Sequence, residues 1–280
     1  QIISVDSVMV YKGCDIGSAK PDKYILEKYP HEMIDVMSPN KVFSVADFCR
    51  DSHEIIKKTH LAKKIPLFVG GSMMYFKSLL DGMHELPDRD EDYRIDLELL
   101  KQQNSPNYLY DLLKKKDPEH AKKINENDEV RIIRALEVIK LHKKPLSKIL
   151  EENKKSALTN NFAVLQFGIL EDRQNIHKRI ENRLRVMFDN GLEQEVVDLL
   201  ECYNIPESHP IRKSVNYKQL LSYLNGEYDI ETCFKKALYA TRQLAKRQST
   251  WIKGWENFKK ITIKDINILE DDIKKIISLL

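Results

Sequence analysis

Ile65-Pro66-Leu67-Phe68-Val69 runs straight into Gly70-Gly71-Ser72 and then into Met73-Met74-Tyr75-Phe76-Lys77-Ser78-Leu79-Leu80. A short apolar run, a glycine turn and an amphipathic stretch read as strand, turn and helix of a parallel sheet. The strand is expected to be buried. At the turn, free backbone N–H groups and the helix dipole would favour an anion; a plain tight turn with Ser72 as helix cap fits equally well.

Upstream, Ile2 to Val5 is a second short strand, and Asp6-Ser7 follow it. An acid at the carboxyl end of a strand sits where open α/β sheets bind ligands. It also suits a helix cap or a solvated turn acid, or a general base or metal-linked carboxylate at the sheet edge. Ser44-Val45-Ala46-Asp47 reads as a capped helix start, with the helix running to about Lys63. From about Pro87 the chain turns charged and helical, with starts at Asp117-Pro118 and Asn127-Asp128, and Arg131 to His142 forms an amphipathic helix. Phe162 to Leu170 returns to a strand. Three helices follow: about Arg173 to Leu200, dented at Asn190-Gly191, then Tyr217 to Leu224, then Ile230 to about Ile252. The expected fold is α/β, with a core of residues 1–86 and 156–280 and a helical insertion at 87–155.

The chain carries 46 basic and 43 acidic residues among 280, a formal charge of +3, with 42% hydrophobic and 32% charged residues. It is no polycation, so any nucleic-acid surface must come from local clusters. No apolar run is long enough to span a membrane. Four scattered cysteines without a C-x-x-C pair fit a reduced cytoplasmic protein without structural zinc. On the last helix, Phe234, Leu238, Leu244, Ala245, Trp251 and Ile252 form an apolar stripe expected to face the core. Lys236, Gln243, Lys246, Arg247 and Lys253 fall opposite. That face suits solvent or phosphate contacts. Arg212, in a loop, suits solvent or an anion clamp.

Four blocks in order resemble the bacterial tRNA dimethylallyltransferase (isopentenyltransferase) family. Residues 3–21 resemble I-S-V-D-S-x-x-x-Y-K-G-M-D-I-G-T-A-K-P, and VGGSMMYFKSLLDG (69–82) resembles V-G-G-T-x-x-Y-F-x-A-L-L-x-G. RIIRALEVIKLHKKPLS (131–147) resembles R-x-x-R-A-L-E-V-x-x-x-x-G-K-x-x-S, and ATRQLAKRQSTW (240–251) resembles A-T-R-Q-L-A-K-R-Q-x-T-W. The resemblance implies a P-loop-kinase-like parallel sheet of nucleotide- and ATP-binding type, with an insertion gripping the anticodon stem-loop. It implies transfer of a dimethylallyl group from dimethylallyl diphosphate to N6 of the adenosine 3′ of a tRNA anticodon, by a cytoplasmic monomer.

By the same resemblance, Asp6 accepts the N6 proton, Ser72 lines the reaction channel and Arg212 steadies the diphosphate. Asp6, Ser7, Val8 and Met9 hold the flipped adenosine. Arg94, Val130, Arg131, Ile132, Ile133 and Arg134 contact tRNA from the insertion, and Arg242, Gln243, Lys246 and Arg247 do so from the last helix. Mg²⁺ is implied by the diphosphate, but its usual hydroxyl ligand belongs to the family's G-P-T-A-S-G-K-T loop, which these residues do not contain; no metal ligand is assigned. That departure implies a fragment or a degraded copy, and inactivity alone with low stability belongs to the alternative reading. A non-catalytic tRNA-binding remnant is the alternative, ahead of a small-molecule kinase or a free-nucleotide isopentenyltransferase. Asn216 stands where the family usually has Gly, and Ser72 where it usually has Thr.

Overall fold

A computed structural model of the chain describes residues 1–84, 86–152, 157–256, 259–261, 270 and 274. The chain divides into two compact units, residues 1–79 with 163–280, and residues 80–162.

The first unit opens with β1 (Ile2–Val5), α1 (Lys23–Lys28), β2 (His31–Glu32), α2 (Val45–Leu61), β3 (Leu67–Gly70) and α3 (Met73–Asp81), the last reaching the division. The strands form a parallel sheet in the order β2-β1-β3, with Ile2 opposite Leu67 and Val5 opposite Gly70. Short apolar strands joined through helices leave parallel pairing as the natural solution. Ile3 and Val5 are fully buried, and Phe48 of α2 stacks on Tyr75 of α3 with ring centroids 4.5 Å apart. The start of α2 is a capping box: Asp47 N–H donates to Ser44 Oγ, and Ser44 N–H to the Asp47 carboxylate. The expected burial of β3 does not hold: Leu67 and Val69 are 54% and 52% exposed. Among the described residues β3 pairs only with β1, so it is an edge strand with one flank open.

The second unit is helical: α4 (Glu91–Gln103), α5 (Tyr108–Lys116), α6 (Pro118–Ala121), α7 (Glu129–His142) and α8 (Leu146–Glu152). Leu97, Leu113, Leu136 and Ile149 lie in its core. Buried Asp117 ties three of these helices: it caps α6 through His120 N–H and accepts from both the N–H and Oγ of Ser147 on α8. Glu137, fully buried on α7, accepts from Arg94 Nε at 2.8 Å, Arg134 Nη1 at 2.5 Å and the Asp90 N–H at 2.9 Å.

The chain then returns to the first unit with β4 (Phe167–Ile169), α9 (Arg173–Asp189), α10 (Leu192–Cys202), α11 (Pro210–Lys213), α12 (Tyr217–Leu224), α13 (Ile230–Lys253) and β5 (Lys259–Ile261), which pairs parallel with β4. The strand expected over 162–170 shrinks to three residues. The expected dent at Asn190-Gly191 is a full break, with Gly191 at φ +91°, where glycine carries no steric cost. Among the described residues no helix is long and apolar enough to cross a membrane.

Burial alone would raise the Glu137 carboxyl; its hydrogen bonds from Arg94 and Arg134 outweigh that and hold it at about 2. A depressed carboxyl contributes stability that is fully present above its unfolded value and is lost as pH falls toward the folded one. The second unit should therefore keep its stability down to about pH 4.5 and lose it between there and about pH 2. Glu137→Ala, which strands two arginines, should cost about 3–5 kcal/mol. Chemical denaturation monitored by exchange within residues 91–152 measures both.

Candidate active site

β1 delivers its last residues to the mouth of a cavity of roughly 2000 Å³ in the first unit. That is larger than an ordinary small-ligand pocket. One Asp6 oxygen accepts from the N–H groups of Val8 at 2.8 Å and Met9 at 3.1 Å, which fixes the carboxylate and the turn together. Ser7 N–H donates to Ser72 Oγ at 3.1 Å, joining the β1 turn to the start of α3. All five of these residues line the cavity. Beneath them, burial pushes the Tyr75 phenol well up, and Tyr11 and Asp6 add to it, so it stays neutral.

The glycine turn is not the anion cradle its composition suggested. The N–H groups of Gly71 and Ser72 both donate to the Val5 carbonyl, at 3.2 and 3.1 Å. Gln248 Nε2 donates to the Gly71 carbonyl at 3.0 Å, anchoring α13 to the same turn.

α13 supplies an apolar wall. Leu244, Ala245, Trp251 and Ile252, expected in the core, are only partly buried and line the cavity, as does Arg247. α9, which packs on α13, contributes Ile176, Ile180 and Met187 together with Arg179 and Arg183. Neither Arg183 nor Arg247 takes part in an ion pair among the described residues.

Arg212 is not in this cavity. Its Nε donates to the Ile205 carbonyl at 2.9 Å and its Nη1 pairs with Glu207 at 3.2 Å, so its guanidinium is engaged by neighbouring residues. Arg242 pairs with Glu181 at 3.1 Å, tying α13 to α9, and its buried Nε has no hydrogen-bond partner among the described residues. Gln243 and Lys246 lie outside the cavity lining, Lys246 exposed.

In the second unit, Arg94 and Arg134 are engaged by Glu137, and Arg134 also donates to the Pro87 carbonyl. Ile132, 3% exposed, packs in that unit's core and has no side-chain surface to offer a ligand; Ile133 is partly buried against it. Val130 and Arg131 are exposed.

Sequence reasoning missed Arg179 and Arg183. Their four-residue spacing beside Ile176 and Ile180 marks one face of a helix, but nothing local says which face meets a cavity. Among the described residues no three His, Cys, Asp or Glu side chains gather to hold a metal ion by themselves.

The IPP transferase family model matches residues 9–255. The chain belongs to that family. It is 39% identical over 275 residues to the tRNA dimethylallyltransferases of Francisella tularensis subsp. novicida and subsp. tularensis, covering 98% of this chain and 89% of each relative. In structure it is similar to the tRNA isopentenylpyrophosphate transferase of Staphylococcus epidermidis, at 31% identity and a TM-score of 0.66 over all of this chain and 91% of that one. It is also similar to a eukaryotic dimethylallyltransferase acting on tRNA, at 25% identity and a TM-score of 0.77 over 98% of this chain and 71% of that one. The α/β fold with its small parallel sheet is that of these IPP transferases. Asn216 sits at φ +73°, the left-handed region that favours glycine.

Proposed function

We propose that this cavity transfers a dimethylallyl group from dimethylallyl diphosphate to N6 of the adenosine 3′ of a tRNA anticodon. One observation carries the reading: a strand-end carboxylate, an apolar wall and unpaired guanidinium groups line the same cavity. The wall of Leu244, Ala245, Trp251 and Ile252 suits an allylic chain. Arg183, with Arg179, suits the diphosphate, in the role that resemblance gave to Arg212. Asp6 to Met9 would hold an adenosine taken out of its stack.

In the transfer, the N6 lone pair forms a bond to the allylic carbon as that carbon's bond to the diphosphate oxygen breaks. The Asp6 carboxylate takes the N6 proton, and the arginines meet the charge growing on the departing diphosphate. Ser72 lines the path and steadies the turn through Ser7. Lys246 and Arg247 on α13, and exposed Val130 and Arg131 in the second unit, would contact the anticodon stem-loop, each charged contact adding to the salt dependence of binding. The same reading makes the protein a cytoplasmic monomer, with Mg²⁺ accompanying the diphosphate rather than held by these side chains.

Asp6→Asn should lower the single-turnover transfer rate by ~10²–10⁴ and leave RNA affinity unchanged, because an amide cannot take the proton. A rate near that of the unmodified protein would remove Asp6 from this role. Arg183→Ala should lower the same rate by ~10²–10³. Arg212→Ala should leave the rate in place and lower thermal stability instead. The reverse pattern would return the diphosphate to Arg212.

A further inference from the structure

The loop from Asp15 to Lys20 lines the cavity, yet it has no regular secondary structure of its own. Its shape is imposed from outside. The Glu195 carboxylate of α10 accepts from three successive backbone N–H groups, Asp15 at 3.0 Å, Ile16 at 2.5 Å and Gly17 at 3.0 Å. A fourth donor, the Tyr217 hydroxyl, reaches the same carboxylate at 2.7 Å. Successive amides converging on one anion make a strong, charge-assisted contact.

Gly17 is pinned on its other side as well. Asn216 Nδ2 donates to the Gly17 carbonyl at 2.9 Å, and Asn216 Oδ1 accepts from Thr241 Oγ1 of α13 at 3.5 Å. The Tyr217 ring lies so near that a Cβ on Gly17 would come within 2.6 Å of it. At the far end of the loop, Lys20, 4% exposed, pairs with Asp15 and Asp35 and donates to the Tyr11 carbonyl.

Asn216 makes the arrangement unusual. At φ +73° it occupies backbone that glycine adopts freely and other residues adopt under strain. Strain of this kind persists only where surrounding contacts over-determine it, and here those contacts are to a loop of the cavity.

We propose that Glu195, Tyr217 and Asn216 are positioning residues that clamp the Asp15–Lys20 loop as a pre-set wall of the cavity, so that substrates meet it already ordered. The proposal rests on the reading of this cavity as the prenyl-transfer site. None of the three is asked to touch the reacting atoms. Ordering the loop in advance removes an entropic cost from each binding event.

The test uses the full chain, with hydrogen exchange and transfer kinetics measured side by side. In Glu195→Gln, which keeps the shape but halves the acceptors, the amides of Asp15, Ile16 and Gly17 should exchange about tenfold faster or more, while those of β1 keep their rates. Tyr217→Phe should move the same amides by less, and serves if Glu195→Gln fails to fold. Asn216→Gly should loosen the loop while leaving the melting temperature unchanged or higher, since it releases strain. In each loosened variant KM for dimethylallyl diphosphate should rise more than kcat falls. A purely structural role would instead lower the melting temperature and leave KM alone. Unchanged exchange at residues 15–17 in Glu195→Gln and Tyr217→Phe would overturn the clamp, and so would an unaltered KM in a variant whose loop has loosened. If the unmodified protein transfers nothing, the reading of the cavity fails, and exchange alone then judges the clamp.

Discussion

The carbonyl oxygen of Val5 accepts hydrogen bonds from both Gly71 and Ser72, and Gly70 lies so close that a Cβ would stand 2.1 Å from that oxygen. No residue but glycine fits there without moving backbone. This contact sets the ends of β1 and β3 side by side and dictates where their turns lead. From it follow the link between Ser7 and Ser72, the placement of Asp6 at the cavity mouth and the docking of Gln248 on Gly71. The floor of the cavity is thus backbone, and its chemistry rides on the two turns that leave it.

The walls are held by a different kind of force. α9 and α13 meet through the Arg242–Glu181 pair and the edge-to-face contact of Phe188 with Phe234, 5.4 Å between centroids. Both helices give the cavity apolar and basic side chains, Ile176, Ile180 and Arg183 from α9 and Leu244, Trp251 and Arg247 from α13. Burial pushes the Cys14 thiol up to about 12, so the cysteine at the start of the loop stays protonated and acts as packing rather than as a nucleophile. Two carboxylates beside the cavity are spent on structure, Glu195 on backbone amides and Glu181 on arginines. Asp6 keeps one oxygen free of protein hydrogen bonds among the described residues, at the carboxyl end of β1.

Much of the fold was legible because its signals are local. Ser44 with Asp47, Asp128 before Glu129, and the apolar periods of α12 and α13 each place a helix within a few residues, as capping and amphipathic spacing should. The site was legible where one short segment carries it, as Asp6 to Met9 does. What escaped was long-range. The exposure of β3 depends on which strands flank it. The Gly71 and Ser72 amides are taken by an oxygen some 65 positions away, the span of the Ser7–Ser72 hydrogen bond. The fates of Arg212 and Arg183 depend on how short α11 turns and which face of α9 meets the cavity. The family pattern located these segments but not the partners of their side chains.

Mass spectrometry of an anticodon stem-loop RNA, after incubation with the protein and dimethylallyl diphosphate, decides whether the cavity transfers the group. The adenosine 3′ of the anticodon should gain one dimethylallyl group in place of a hydrogen, and no other base should. RNA that footprinting shows bound to the protein, yet recovered with its mass unchanged, would contradict it.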